Sequence, residues 1–171
     1  YRNTPTGRIR INAAVEAANL LLAPVMPAFM DRYPDIEIDI VASNRMVDVT
    51  DAGFDAGIRY GGTVPEDMVA RRLSADIRWV IAASPDYLER YGTPEHPDDL
   101  LHHRCISNRL GDDRIYRWEL ERDGETYQIS VPGSVTVNQA ETGLVAVLGG
   151  AGLMCFPEPL VAPYVKDGLL R

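Results

Sequence analysis

The feature that most constrains this chain is a strand-helix-strand alternation that runs near its start and begins again near its end. Arg8 to Asn12 alternates Ile9 and Ile11 with polar neighbours, the period of a half-buried strand. Ala13 to Arg32 then carries Leu21, Val25, Ala28 and Phe29 at helical spacing, with Pro24 predicting a kink or an early turn of irregular structure because it removes a backbone donor. Tyr33-Pro34-Asp35 stops the helix, and Ile36, Ile38 and Ile40 alternate with Glu37 and Asp39 as a second strand up to Val41. Met46 to Ala52 reads as a short helix ended at Gly53, and Phe54 to Arg59 as a third strand closed by Gly61-Gly62. Alternation of this kind predicts an α/β fold with a mainly parallel sheet and helices on its faces.

Further along, Met68 to Leu73 and Arg78 to Ala83 read as strands, and Ser84-Pro85 as the cap and first position of a helix ending at Gly92. A short turn over Asp98 to Leu101 precedes a strand at Cys105 to Asn108. Tyr116 to Arg122 and Thr126 to Val131 flank Asp123-Gly124, a strong hairpin signal. The rhythm restarts with a strand over Ser134 to Asn138, a helix over Ala140 to Leu148, a strand over Leu153 to Phe156 and a last helix over Pro157 to Tyr164. Two βα series split near Ala83-Ser84 predict two lobes.

Charge excludes one class of partner. With 17 Lys+Arg against 25 Asp+Glu the net charge is −8, and a surface that tracks nucleic-acid phosphates needs a clustered basic face instead. The longest uncharged apolar run, Leu20 to Met30, is far short of the ~20 residues of a membrane helix. Cys105 and Cys155 form no CxxC pair, which points to a reduced, cytoplasmic setting. Residues 1–7 are polar and turn-rich, like the end of a linker.

Motifs for chemistry are sparse. Gly149-Gly150-Ala151-Gly152 follows a helix and opens a strand, the reverse of a dinucleotide cradle, and reads as a helix cap. His102-His103-Arg104-Cys105 places neighbouring side chains on opposite faces of an extended segment, which disfavours a shared metal. GxSxG, SxxK and HExxH are absent, so no catalytic residue, metal site or cofactor is expected. What remains is the carboxyl ends of the strands, where open parallel sheets bind ligands. Four segments fall there: Asn12-Ala13-Ala14, Ala42-Ser43-Asn44, Asn108-Arg109 and Asn138-Gln139-Ala140. Their small and amide side chains can contact a small polar ligand, with ordinary turn and capping roles as the alternative. Arg59 and Arg109 are the arginines best placed to pair with a carboxylate, while Glu16 and Glu141 fall in the first turns of the two helices that follow.

The ordered run of GRIRI, LLAPVMPAFMDRYPDIEIDI, FDAGIRYG, DMVARRL, ASPDYLERYGTPEHPDDLLHHRCI, YRWELERDG, GGAGLMCFPEPLV and DGLLR resembles the effector-binding domain of LysR-type transcriptional regulators over nearly the whole chain. The resemblance implies two Rossmann-like lobes joined by two crossover strands, similar to type 2 periplasmic binding proteins. Residues 8–83 plus 156–171 would form lobe I and 84–155 lobe II, with a small-molecule effector, a carboxylate or an aromatic compound, held between them by the four segments and Arg59. It also implies a homodimer or homotetramer pairing Glu16 to Arg32 and Ile36 to Val41 with Glu141 to Leu148. DNA would be contacted only through an N-terminal winged helix-turn-helix that this chain lacks, and no membrane is implied. Relatives usually carry Ser, Thr or Pro just after the first strand, where this chain has Asn12-Ala13-Ala14. The same architecture also serves solute-binding proteins of transport systems and some bilobal enzymes such as dehydratases and deaminases.

Overall fold

A computed structural model of the chain describes residues 4–61 and 67–171. They group into two compact units, Tyr1–Leu73 and Ser74–Arg171. Gly62, and residues 1–3 of the linker-like start, lie outside the described residues.

In the first unit β1 (Gly7–Ala13) is the central strand, flanked in parallel by β2 (Ile36–Ala42) and β3 (Ala56–Ile58). The register sets Ile9 opposite Ile38 and Ile11 opposite Ile40, so the branched side chains share one face. Arg10 lies opposite Asp39, and its Nε donates to Asp39 Oδ2 at 3.0 Å, with Arg8 Nη2 at 2.9 Å. The Arg10 hydrogen bond and the two guanidinium charges outweigh desolvation and hold the Asp39 carboxyl below its ordinary value.

The break expected at Pro24 takes the form of irregular turns. The helix passes from α1 (Val15–Ala17) through wide π-type turns at Ala18–Leu22 and a tight 3-10 turn at Ala23–Val25 before α2 (Met26–Arg32). Pro24 and Pro27 deny Leu20 and Ala23 their α-helical donors, and the widened and tightened turns absorb that loss.

Three sequence expectations are corrected here. Residues 46–52 form no helix but end in a single turn closed by Ala52 N–H on the Asp48 carbonyl at 3.0 Å. Asp48 Oδ1 takes the Thr50 and Asp51 amides at 2.9 Å each, diverting them from helix propagation. The third strand is only three residues long, and a side chain at Gly57 would meet Val49 Cγ2 at 2.6 Å. Residues 68–73 join no strand among the described residues, and Val69 is 99% exposed.

The second unit carries three strand pairs. β4 (Trp79–Ala82) runs antiparallel to β9 (Met154–Pro157), β5 (Cys105–Asn108) runs parallel to β8 (Gly133–Val137), and β6 (Trp118–Arg122) forms a hairpin with β7 (Glu125–Ile129). Asp123 and Gly124 both have positive φ, 52° and 80°, as the two-residue hairpin turn requires. Helices α3 (Pro85–Tyr91), α4 (Ala140–Leu148) and α5 (Glu158–Lys166) cover the strands, and a 3-10 turn spans Pro97–His102. Ser84 Oγ accepts the Tyr87 amide at 3.2 Å, the cap its position predicts. At the end of α4, Gly150 (φ 85°) donates to Val147 O and Ala151 N–H to Ala146 O, a left-handed glycine stop. The glycine cluster is therefore a helix terminus.

Residues 74–83 and 156–171, which the sequence placed with the first lobe, pack within the second unit. Phe156, Val161 and Leu170 share a core with Ala140, Leu144, Val147 and Met154. Arg171 and Ala83 exchange two backbone hydrogen bonds of 2.9 Å. A second cluster, on Trp118, Tyr87, Leu100 and Leu153, encloses both Cys105 and Cys155.

Burial pushes the Cys105 thiol up to about 11 and the Cys155 thiol up to about 12, against an ordinary 9.0. Two pKa units remove about 99% of the thiolate at pH 8. Reaction with a soluble disulfide reagent at pH 8 is thus expected to be at least about 100-fold slower in the folded protein than in urea. Comparable rates in the two states would show that neither thiol is sequestered.

Candidate functional site: the strand ends

In the first unit the carboxyl ends of all three strands are tied together by hydrogen bonds. Ala14 N–H donates to Ile58 O at 3.1 Å and Ser43 N–H to Ala13 O at 2.9 Å, stitching the segments after β1 and β2 to one another and to β3. Ala42 lies opposite Ala13 in the β1–β2 register. Asn44 Oδ1 accepts the Val15 N–H at 2.9 Å, so a side chain from the loop after β2 satisfies the leading amide of α1. Ser43 Oγ accepts the Arg45 N–H at 3.2 Å.

Arg59 closes this cluster. Its Nη1 donates to Ile58 O at 2.9 Å and Asn12 O at 3.3 Å, and its Nη2 donates to Asn12 Oδ1. Asn12 is 2% exposed and Arg59 half-buried, and desolvation pulls the guanidinium below its ordinary pKa. Asn12, Ala13, Ala14, Ala42, Ser43, Asn44 and Arg59 therefore form one constellation. Burial keeps Ala13 and Ala14 small, and the amides of Ala14 and Val15 are already engaged.

The second unit gathers the other five residues at the ends of β5 and β8. Asn108 lies opposite Val137, and Arg109 N–H donates to Val137 O at 2.7 Å, just before Asn138. Gln139 caps α4 with no side-chain cap bond, and Ala140 is buried. Asn108 Nδ2 donates to Cys155 O at 3.5 Å, and its buried Oδ1 has no partner among the described residues. Arg109 is exposed and bends back onto its own loop, Nη1 donating to Asp113 O at 2.9 Å. The two arginines that sequence alone ranks together are thus held differently.

Sequence did not anticipate a recess of about 600 Å³ in the second unit, floored by Ile81, Leu88, Leu100, Leu120 and Leu153. Those residues come from separate elements and carry no local pattern, so no motif could mark it. Nor was the Tyr87–His103 pair legible: Tyr87 OH accepts the Arg104 amide at 3.0 Å and lies 2.9 Å from His103 Nδ1. Among the described residues no group of three His, Cys, Asp or Glu side chains is placed to hold a metal ion, and no helix is long and apolar enough to cross a membrane.

Residues 2–171 match the family model described as the LysR substrate binding domain. The chain belongs to this family. An uncharacterized HTH-type transcriptional regulator of Escherichia coli K12, YcaN, is 35% identical over 100% of this chain and 56% of its own length. The HTH-type transcriptional regulator PgrR of the same organism is 33% identical over 97% of this chain and 56% of its own. Among solved structures, the LysR-type regulator CrgA of Neisseria meningitidis superposes with a TM-score of 0.83 at 29% identity, covering 98% of this chain and 56% of that one. The Vibrio cholerae virulence activator AphB gives 0.85 at 27%, with coverages of 98% and 56%. The fold is that of LysR regulatory domains. The LysR substrate binding domain is a regulator domain rather than an enzyme family, and this chain spans about half the length of the relatives it matches.

Proposed function

We propose that this chain is the ligand-sensing module of a cytoplasmic LysR-type transcriptional regulator. The observation that carries the proposal is the hydrogen-bonded convergence of small and amide residues at the strand ends of each unit, in a chain of this family. Such a surface offers mixed donors and acceptors with little side-chain bulk, which suits a small polar effector better than a macromolecule. Asn108 and Arg109 with Asn138, Gln139 and Ala140 form a strand-end surface of the same kind within the second unit. DNA contact belongs to a helix-turn-helix elsewhere in the protein, in keeping with the net charge of −8 here and the HTH-type description of the relatives.

Occupancy acts by binding one arrangement of the protein better than another, and a tenfold preference supplies about 1.4 kcal/mol of bias. Self-association is part of the same proposal. Met30 on α2 and Val145 on α4 are 64% and 72% exposed, and Val25 and Val41 also face solvent, on the surfaces the family resemblance assigns to pairing.

A thermal-shift screen of small carboxylates, phenols and amino acids tests the sensor role. A cognate compound at 100 times its Kd stabilises by about 2.7 kcal/mol, or roughly 5–10 °C for a protein of this size. Indifference to every class would count against a sensor.

A further inference from the structure

Two half-buried arginines stand out among the described residues, Arg10 and Arg59. Arg10 has Asp39 at 3.0 Å, whereas Arg59 meets only neutral oxygens, the Asn12 and Ile58 carbonyls and Asn12 Oδ1. No carboxylate among the described residues pairs with Arg59, although Arg8, Arg78, Arg90, Arg114 and Arg122 each have one within 4 Å. A guanidinium withdrawn from water costs free energy that carbonyl dipoles offset only in part, and an anion offsets the rest.

The bonds Arg59 does make decide which edge is left. A guanidinium has five N–H donors in a plane. Nη1 donates to Asn12 O and Ile58 O, and Nη2 donates to Asn12 Oδ1. Asn12 thereby contacts both terminal nitrogens. Nε–H and one Nη2–H have no acceptor among the described residues, and the Nε–Nη2 edge of a guanidinium carries two parallel donors. That pair is the fork that fits the two oxygens of one carboxylate.

We propose that the effector of this protein is a small carboxylate whose two oxygens are held by the Nε and Nη2 donors of Arg59, with Asn12 fixing the guanidinium. This rests on the sensor reading above and adds the ligand's chemical class. Asn12 acts as a positioning residue, because its backbone and side-chain oxygens together lock the guanidinium plane.

The test uses matched pairs in which only the charged group changes: benzoate with benzamide, succinate with succinamide, and further mono- and dicarboxylates with their amides, plus inorganic phosphate. Binding is read by calorimetry and by the Arg59 Nε–H resonance in ¹⁵N NMR of the unaltered protein. The expected result is that acids bind about 10- to 100-fold more tightly than their amides and shift that resonance, and that Arg59→Lys loses a similar factor. Arg59→Lys keeps the charge but not the fork, and the resonance shift needs no variant, so a folding defect cannot imitate the result. Amides binding as tightly as acids with the Arg59 resonance unmoved would overturn the carboxylate assignment and leave the sensor reading standing. Phosphate binding tighter than any carboxylate would do the same. Failure of every compound of both kinds would remove the assignment together with the sensor reading.

Discussion

Replacing Gly152 with alanine is expected to destabilise the second unit by about 3 kcal/mol, lowering its melting temperature by roughly 10 °C. Gly152 has φ 153°, in a region that L side chains rarely adopt, and an added Cβ would collide with the Arg104 carbonyl. That carbonyl accepts the Leu153 N–H at 2.8 Å, and Leu153 O in turn accepts the Ile106 N–H at 2.8 Å. Relief of the collision therefore pulls apart the bridge that joins β5 to the approach of β9. Gly149→Ala in the same glycine-rich stretch is the control, since Gly149 has φ −78° and its nearest neighbour lies at 3.4 Å. Equal melting temperatures for the two variants would refute the argument.

Truncating Trp118 to alanine is expected to cost about 3–5 kcal/mol, measured by urea unfolding. Trp118 is fully buried on β6 among Tyr87, Leu88, Leu100, Cys105 and Leu153. Its Nε1–H has no acceptor among the described residues, so Trp118→Phe removes an unsatisfied donor as well as volume. The phenylalanine variant is accordingly expected to lose less than about 1.5 kcal/mol. A loss as large as that of the alanine variant would show that the indole nitrogen is bonded after all.

The strands read most clearly where two signals agreed. Ile36, Ile38 and Ile40 alternate and β2 is there; Asp123-Gly124 sits between β-patterned runs and the hairpin is there. Errors arose where a local hydrogen bond competed with the pattern. Residues 46–52 carry helix-compatible spacing, yet the Asp48 side chain takes two amides that a helix would need. Residues 68–73 look like a strand, but β structure needs a neighbour, and a neighbour is a tertiary fact. The same division holds for the candidate site. Position at a strand end is visible in sequence, and the twelve candidate residues lie at or beside the ends of β1, β2, β3, β5 and β8 or at the start of α4. What each side chain grips is not, so Arg59 and Arg109 looked alike until one was found on Asn12 and the other on Asp113.

The bond from Val15 N–H to Asn44 Oδ1 makes two distant stretches of chain mechanically one. If an arriving molecule nudges the loop after β2, α1 must follow or lose the acceptor for its leading amide. In the proposed sensor that single bond would couple any displacement of the loop to the head of the helix, 29 residues away along the chain.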